Sequence, residues 1–243
     1  MGYRATYRTR TYHNKGRLAR TRPVPGTGFE RGLHEQGAEL VGGIDEVGVG
    51  AWAGPLAVAA VVLPPGRRIY KVRDSKLVDP ARREWLAARV RERCLAWSVG
   101  LAWPREIDDV GLSEATRRAA RRAVDGLSVT PDAFLVDGKW NFLGEGATMV
   151  VRGDCESLSI ASASVVAKCR RDRLMRNLSE LWPAYRFDAN KGYPSPQHKW
   201  ALAAFGPSPI HRRLYAPIQR LFDEGVPGRL LPAASNGIEE EAS

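Results

Sequence analysis

The sequence predicts an α/β fold, because short apolar runs with the length of strands alternate with longer stretches that have helical spacing. Three of the strand-like runs give way to an acidic residue and a glycine: residues 41–48, 133–138 and 149–154. With 243 residues, 44% of them hydrophobic, the chain is long enough to bury one sizeable core. These features together predict one α/β domain.

The first strand ends in two adjacent carboxylates, Asp45 and Glu46, and then breaks into the turn Gly48-Val49-Gly50. A second apolar run from Leu56 to Leu63 follows, so the pattern predicts strand, turn, strand. Adjacent residues on an ideal strand point to opposite faces, and one site could receive both carboxylates only if the glycines allow a bulge. The alternative is a hairpin end whose acids are solvated, and this stretch alone does not distinguish the two.

A helix is predicted from Pro80 to about Cys94, with Asp79 as its N-cap and the proline at its first position. Its arginines are expected to face solvent and two apolar side chains to face the core, those of Leu86 and Val90. Apolar residues then alternate within residues 95–103, which predicts a strand.

Further helices are predicted in the second half of the chain. Ser113 is expected to cap a helix whose small residues recur every four positions, at Ala115, Ala119 and Ala123. The longest helical pattern covers residues 158–182 and stops at a proline. Two short helices are predicted near the C-terminus, at residues 196–205 and 215–222.

We expect the chain to divide into three parts. Residues 1–30 contain six arginines and one lysine against a single acid, which predicts a flexible basic arm, although folding is expected to begin near Phe29. Residues 31–223 form the folded domain. Residues 224–243 include three consecutive glutamates, Glu239 to Glu241, and are expected to be a disordered acidic tail.

The net charge of +10 indicates a polyanionic partner, because each phosphate that a basic protein neutralises releases counterions. Composition alone does not choose between DNA, RNA and an acidic membrane surface. A basic surface that serves solubility only is the alternative.

The location of the protein is predicted from what the sequence lacks. No stretch approaches the roughly 20 apolar residues of a membrane span, and no apolar segment follows the basic N-terminus as in a secretory signal. The three cysteines, Cys94, Cys155 and Cys169, have no paired spacing, which predicts reduced intracellular thiols and no metal site built on them. We therefore expect a cytoplasmic protein with no membrane partner.

Carboxylates follow the predicted strands at Asp45, Glu46, Asp137 and Asp154. Because ligands gather at strand ends in open α/β sheets, these four acids are candidates to converge. Carboxylates held close together repel each other unless a cation neutralises them, and Mg²⁺ or Mn²⁺ prefers such oxygen ligands. Two such ions can activate a water and stabilise the leaving oxygen in phosphodiester hydrolysis. A basic protein with an acidic site fits that chemistry.

Other catalytic patterns are absent from the sequence. The GxSxG motif of serine hydrolases and the GxxxxGK[ST] phosphate loop do not occur. The four histidines lie outside the carboxylate stretches and are interpreted as packing or surface residues: His13, His34, His198 and His211.

Several collinear blocks resemble the motifs of the ribonuclease HII family, and the resemblance covers roughly residues 30–223. The first is Gly43-Ile44-Asp45-Glu46-Val47-Gly48, followed by Ala53-Gly54-Pro55. The later blocks are Asp74-Ser75-Lys76-Leu77, Val136-Asp137-Gly138, Gly153-Asp154, the run Ser159 to Lys168 with Arg171-Asp172, Asn190-Lys191-Gly192-Tyr193, and Gly206 to Arg212.

The resemblance implies a ribonuclease H-like fold for residues 31–223, with a mixed central sheet flanked by helices and a small C-terminal helical portion. It implies an endonuclease that hydrolyses the RNA strand of RNA–DNA hybrids. Such an enzyme also cuts 5′ of single ribonucleotides embedded in duplex DNA, leaving a 3′-hydroxyl and a 5′-phosphate. Members use two Mn²⁺ or Mg²⁺ ions at four acids, which match Asp45, Glu46, Asp137 and Asp154. Asp45 would be shared between the metals, and Glu46 would help organise the metals or the water.

Substrate contacts carry over in the same way. The family's glycine–arginine–glycine turn senses the ribose 2′-hydroxyl largely through backbone groups and matches Gly48, Val49 and Gly50. Tyr193 matches the tyrosine that stacks on the sugar after the ribonucleotide. Three residues match phosphate-binding positions: Lys76, Ser164 and Lys168.

Two departures from the family pattern matter for substrate binding. Val49 replaces the arginine of the turn, so one charge-assisted phosphate contact is lost, worth on the order of 1.5–3 kcal/mol when well formed. Pro194-Ser195 replaces the usual glycine and threonine after Tyr193. We therefore expect weaker binding or an altered junction preference, with catalysis retained.

Two alternatives stay open at the level of sequence. One is a basic nucleic-acid-binding protein that has lost catalysis, and the other is a different nuclease of the same fold, such as a resolvase. We expect a monomer, with the C-terminal tail available to a replication partner.

Overall fold

The structure, a computed structural model, describes residues 24–66, 69 and 79–223. Most of the predicted basic arm, the Asp74-Ser75-Lys76-Leu77 block and the predicted acidic tail lie outside the described residues. Within the described part of the chain, no helix is long and apolar enough to cross a membrane.

A mixed five-stranded sheet forms the centre of the molecule, with the strand order β3-β2-β1-β4-β5. The strands are β1 Val41–Val47, β2 Leu56–Val62, β3 Ala96–Ala102, β4 Ala133–Asp137 and β5 Ala147–Val150. β1 pairs antiparallel with β2 and parallel with β4, while β2 pairs antiparallel with β3 and β4 parallel with β5. The predicted α/β class with a mixed central sheet is confirmed.

Helices flank this sheet. In the described residues they are α1 Gly28–Glu35, α2 Pro80–Arg93, α3 Pro104–Val110, α4 Leu112–Asp125, α5 Gly153–Glu156, α6 Leu158–Leu181, α7 Phe187–Asn190, α8 Pro196–Phe205 and α9 Ala216–Asp223, with a 3-10 turn at Pro183–Tyr185. The predicted long helix therefore exists as α6, and the two predicted C-terminal helices exist as α8 and α9.

The two faces of the sheet carry separate hydrophobic layers, because side chains alternate along β2. Ala59 and Val61 pack on one face against α2 and the middle of α6. Val58 and Ala60 pack on the other face against α3 and α4. A third cluster joins the C-terminal half of α6 to α8 and α9, which is the predicted C-terminal helical portion.

Helix α2 confirms its predicted start and corrects its predicted face. Asp79 is the N-cap, and its carboxylate accepts a hydrogen bond from the Arg82 main-chain N–H at 3.0 Å. Leu86 and Val90 are buried as expected. The expectation that all arginines face solvent is wrong for Arg83, which is 8% exposed and pairs with Asp172 of α6 at 3.1 Å. A buried carboxylate on a neighbouring helix, remote in sequence, draws this arginine inward.

Helix α4 starts one residue before the predicted cap. Leu112 is its first residue and Gly111, at φ +79°, occupies the N-cap position, so the prediction of Ser113 as the cap is wrong. The left-handed Gly111 separates α4 from the short helix α3, which the sequence interpretation missed. The small-residue face is confirmed, since Ala115, Ala119 and Ala123 are fully buried.

The N-terminal boundary of the folded region lies earlier than residue 31. Helix α1 begins at Gly28, and Glu30 is only 7% exposed. Its carboxylate accepts hydrogen bonds from the hydroxyls of Ser157 and Ser159, both at 2.7 Å, and from the Ser159 N–H at 2.8 Å. Placing residue 30 in the arm was therefore wrong, because its acid is needed at the N-terminus of α6.

The contact between β1 and α6 predicts that Gly43→Ala destabilises the protein. A Cβ at Gly43 would lie 2.2 Å from the Ser159 carbonyl carbon and 2.5 Å from the Ile160 nitrogen, both main-chain atoms. We expect a loss of about 1–3 kcal/mol or more in the free energy of unfolding, measured by urea denaturation.

The matched control is Gly32→Ala in α1, where a Cβ would meet nothing within 4 Å. This change is expected to raise stability by about 0.5–1 kcal/mol, because alanine favours the helix. Unaltered stability of Gly43→Ala would contradict a close contact between β1 and α6.

Candidate active site

Strand pairing brings the predicted acids to one edge of the sheet. β1 and β4 run parallel with Ile44 opposite Val136, so Asp45 and Asp137, one residue further along each strand, end up side by side. Asp137 in turn pairs with Val150 at the end of β5, and Asp154 follows that strand by four residues. The carboxyl ends of three parallel strands therefore place three of the acids at one site.

Asp45 is held on the α6 face of the sheet. Its carboxylate hydrogen-bonds the side chain of Ser164 on α6 and accepts the main-chain N–H of Glu46 at 2.8 Å. Asp45 is only 7% exposed, whereas Glu46 is half-buried. Strand alternation turns Glu46 away from α6, so no bulge aims both side chains in one direction.

Main-chain geometry also fixes the other two acids. The carboxylate of Asp137 accepts the N–H of Gly153 at 2.6 Å. Asp154 follows that glycine in the short helix α5 and is 8% exposed. It does not belong to α6 itself, because α5 ends at Glu156 and Ser157 caps α6. The hydrogen bond at Gly153 couples the ends of β4 and β5.

The electrostatics of Asp45 show that the four acids interact. Burial raises the pKa of Asp45 well above its ordinary value of 3.8, and the charges of Glu46, Asp137 and Asp154 raise that pKa further. The hydrogen bond from Ser164 acts in the opposite direction. Ionisation of Asp45 is therefore unfavourable at this position, and a bound cation would offset that cost.

The carboxylate oxygens of the four acids are suitable ligands for a hard divalent cation, although the side chains are not arranged around a single point. Across the described residues, no three His, Cys, Asp or Glu side chains are grouped so that they could hold one ion. Hydrogen bonds from Glu46 N and Gly153 N orient the carboxylates of Asp45 and Asp137. All four acids offer oxygen, the ligand that Mg²⁺ and Mn²⁺ prefer.

Arg171 of α6 packs against the turn after β1 and fixes the main chain that follows it. This fully buried arginine donates to three main-chain carbonyls, those of Pro55 at 2.8 Å, Lys191 at 2.9 Å and Ala53 at 3.3 Å. Gly48 has φ +91°, and a Cβ there would lie 2.2 Å from the Arg171 Nε. The glycine is therefore required for both its conformation and its space.

A second fully buried arginine, Arg212, completes the support of the turn. Its Nε donates to the carbonyl of Gly54 at 2.9 Å and its Nη1 to that of Val49 at 3.1 Å. The hydroxyl of Tyr215 donates to the same Val49 carbonyl. Burial, followed by the charge of Arg171, lowers the pKa of Arg212 to about 10. Main-chain carbonyls thus accept hydrogen bonds from both guanidinium groups, while the buried Nη2 of Arg212 has no hydrogen-bond partner among the described residues.

Tyr193 lies beside the turn. Its ring is 37% exposed and sits 5.6 Å from the Arg171 guanidinium carbon. A Cβ built on Gly50 would be 4.0 Å from this ring. The main chain is joined as well, because Trp52 N donates to the Gly192 carbonyl at 2.8 Å. The structure therefore brings together the turn and the tyrosine that the sequence interpretation paired.

The three predicted phosphate-binding residues have different surroundings. Lys168 makes a 2.6 Å ion pair with Asp172, which also binds Arg83, and burial lowers the pKa of Lys168. Ser164 is buried against Asp45. Lys76 lies outside the described residues. In this structure Lys168 and Ser164 are engaged with carboxylates.

The sequence interpretation assigned no role to the residues that support the site. Arg171, Asp172, His211 and Arg212 fall within the quoted motif blocks, and that position was the available signal. Their function depends on contacts between segments far apart in the chain, such as Arg171 with Pro55. His198 and His211, which the sequence interpretation treats as packing or surface residues, are both buried beside Tyr185 and Phe187.

The raised pKa of Asp45 predicts that Asp45→Asn stabilises the metal-free protein at neutral pH. Because folding raises this pKa, the native state loses stability as the pH rises above 3.8 and Asp45 ionises, and asparagine avoids that loss. The free energy of unfolding, measured with urea in the presence of a chelator, should therefore increase.

The control is Asp132→Asn, which removes the same charge from an exposed residue. The N–H groups of Leu40 and Glu39 lower the pKa of Asp132, so this substitution is expected to reduce stability. Destabilisation by both substitutions would contradict the prediction that ionised Asp45 destabilises the native state.

Comparisons with known proteins identify the family. The ribonuclease HII family model matches residues 42–217. A ribonuclease HII of Koribacter versatilis is 44% identical over 192 residues, which cover 79% of this chain and 76% of the relative. A ribonuclease HII of Thermus thermophilus is 45% identical over 183 residues, 74% of this chain and 87% of the relative.

The fold agrees with these matches. The crystal structure of ribonuclease H2 from Pyrococcus horikoshii superposes with a TM-score of 0.64 at 26% identity, covering 76% of this chain and 98% of that one. The residues that the family model matches, 42–217, include the four acids, the turn after β1 and Tyr193. The chain therefore belongs to the ribonuclease HII family, a family of RNA–DNA hybrid endonucleases.

Proposed function

We propose that the protein cuts the RNA strand of RNA–DNA hybrids and also cuts 5′ of single ribonucleotides in duplex DNA, using two Mg²⁺ or Mn²⁺ ions. The products carry a 3′-hydroxyl and a 5′-phosphate. The observation that carries the proposal is the convergence of Asp45, Asp137 and Asp154 at the ends of three parallel strands, together with the raised pKa of Asp45.

In this proposal Asp45 would ligate both metals, Asp137 and Asp154 would complete the two sites, and Glu46 would help to organise the metals or the water. When bound, such ions activate a water and stabilise the leaving oxygen. The protein's own part is orientation. Ser164 and the Glu46 N–H hold Asp45, while the Gly153 N–H holds Asp137, so both acids are pre-positioned by hydrogen bonds.

The turn and Tyr193 recognise the ribose. Gly48, Val49 and Gly50 contact the 2′-hydroxyl largely through the backbone, and Tyr193 stacks on the following sugar. Support comes from their adjacency and from the arginines that hold the Val49 and Ala53 carbonyls. A turn fixed in this way keeps its shape without an arginine at position 49.

Phosphates of the substrate are bound by Lys76, Ser164 and Lys168. For Lys168 this requires that its ion pair with Asp172 be shared with, or exchanged for, a phosphate. Ser164 would contact the phosphate next to Asp45. The proposal also includes a monomeric, cytoplasmic protein with a basic arm and a tail that binds a replication partner. Most of the arm and the whole tail lie outside the described residues.

A duplex DNA with one embedded ribonucleotide tests the function directly. In Mg²⁺ or Mn²⁺ the protein should nick 5′ of the ribonucleotide, as read on a denaturing gel with end-labelled strands. Cleavage of DNA junctions alone would instead indicate a resolvase, and binding without cleavage under either metal would indicate a protein that has lost catalysis.

Asp137→Asn is expected to abolish turnover on this substrate while retaining binding, because the neutral amide still accepts the Gly153 N–H but no longer serves as a charged ligand. Turnover and gel-shift affinity are the two measurements. Asp132→Asn, five residues earlier and exposed, is the control and should keep full activity. Full activity of Asp137→Asn would refute the assignment of the metal site.

Val49→Arg should tighten substrate binding by restoring a phosphate contact. We expect a lower KM and a salt dependence of log K steeper by about one unit, as for one added phosphate contact. Val49→Gln has similar length and no charge, and it should show neither effect. If Val49→Arg leaves KM unaltered, the turn acts through its backbone alone.

A further inference from the structure

Two buried histidines connect Tyr193 to the C-terminal segment. His198 Nδ1 lies 2.9 Å from the Tyr193 carbonyl, and His198 Nε2 lies 2.9 Å from His211 Nε2. His211 Nδ1 lies 2.8 Å from both the main-chain nitrogen and the hydroxyl of Ser208. The result is one continuous chain of hydrogen bonds from Ser208 to Tyr193.

The partners at the two ends fix the tautomers of both rings. The Ser208 N–H can only donate, so His211 Nδ1 accepts this hydrogen bond and the ring proton is on Nε2. The Ser208 carbonyl, which would need a proton on Nδ1, lies farther from that atom, at 3.2 Å. The Tyr193 carbonyl can only accept, so His198 carries its proton on Nδ1 and accepts at Nε2. The proton of His211 therefore lies between the two Nε2 atoms. Every ring nitrogen is satisfied when both rings are neutral.

The surroundings agree with two neutral rings. His198 and His211 are 0% and 2% exposed and are packed against Tyr185 and Phe187. Burial lowers the pKa of both histidines, that of His211 to about 3. A proton added to His198 would place its Nε2–H against the Nε2–H of His211, and a proton added to His211 would place its Nδ1–H against the Ser208 N–H.

The segment that carries His211 also carries Arg212. The side chain of Arg212 donates to the carbonyls of Val49 in the turn and of Gly54 just after it, and its main-chain N–H donates to the Trp52 carbonyl at 2.8 Å. Arg212 therefore binds the turn directly, and the preceding residue, His211, binds the Tyr193 loop through His198.

The loop that presents Tyr193 requires such support. Lys191 and Gly192 both have positive φ, at +55° and +80°, and positive φ is unfavourable for a lysine. Besides the histidine, the Tyr193 carbonyl accepts only the local Ser195 N–H at 2.8 Å among the hydrogen bonds of the described chain. His198 is the longer-range attachment that fixes this carbonyl relative to the turn.

We infer that His198 and His211 are positioning residues for ribose recognition: they set the position of Tyr193 relative to the turn Gly48–Gly50. This inference rests on the proposed role of Tyr193 in stacking on the sugar. The histidines do not touch the substrate. Their substitution should therefore raise KM more than it lowers kcat.

A double-mutant cycle tests whether His198 acts through Tyr193. His198→Leu should raise KM for the duplex with one ribonucleotide by about 10-fold, the order expected for residues in one hydrogen-bond network. In a Tyr193→Ala background the same substitution should change KM less than about 2-fold, because the group it positions is gone. Equal effects in both backgrounds would overturn the inference.

His198→Asn is the conservative control, since its amide can replace the Nδ1 donor to the Tyr193 carbonyl. It should recover most of the KM lost in His198→Leu. A folded His198→Asn with a KM as high as that of His198→Leu would also count against the inference. Thermal unfolding of each variant establishes that it is folded.

Nitrogen-15 NMR of the wild-type imidazoles provides a readout that needs neither a variant nor activity. We expect protonated Nδ1 and bare Nε2 for His198, and the reverse for His211. The opposite tautomers would overturn the inference even if the enzyme is active. Failure of the wild type to nick the duplex would instead refute the proposed function, and an unaltered KM in Tyr193→Ala would refute the proposed role of Tyr193. The tautomer measurement depends on neither result.

Discussion

The close approach of α6 to the central strand β1 is the constraint on which the site depends. Gly43 has no side chain, so the main chain of Ser159 and Ile160 can press directly on the strand. This contact sets the height of α6 above the sheet and so brings Ser164 within hydrogen-bonding reach of Asp45. The parallel pairing of β1 with β4 then places Asp137 beside it. A larger residue at position 43 would disturb the supports of the acidic site together.

The same helix supports the substrate side of the site. Arg171 follows Ser164 by seven residues, or about 10 Å along a helix. From there its guanidinium holds the carbonyls of Ala53, Pro55 and Lys191, which belong to the turn after β1 and to the loop before Tyr193. One rigid element therefore determines the spacing between the acids and the surface formed by the turn and Tyr193. Such a spacing is what a cut at a defined phosphate requires.

Buried charge is the cost of this arrangement, and the two sides of the site handle it differently. Arg171 and Arg212 are fully buried but give their N–H groups to main-chain carbonyls that a turn leaves without strand partners. Asp45 has only part of this compensation, and three neighbouring acids raise its pKa. Hydrogen bonds therefore offset most of the buried charge behind the turn, with Arg212 Nη2 as the exception, whereas the charge of Asp45 is opposed by that of its neighbours. Because the Val49 carbonyl is held by Arg212 and Tyr215, the shape of the turn does not require an arginine at position 49.

The sequence by itself determined the α/β class, the strands that end in acids and the long helix, because these depend on local pattern and capping. It also predicted four site acids from the resemblance of short motifs, and strand pairing brings three of them to one edge of the sheet. Local pattern also has limits: it predicts Ser113 as the cap of α4, where Gly111 stands, and it assigns Glu30 to the arm instead of to α1. Only the tertiary structure decided the partners of Arg83, Arg171, Arg212 and the two histidines. Their hydrogen bonds join segments up to 163 residues apart, as between Arg212 and Val49, and no periodicity along the chain encodes which distant carbonyl a buried donor will meet.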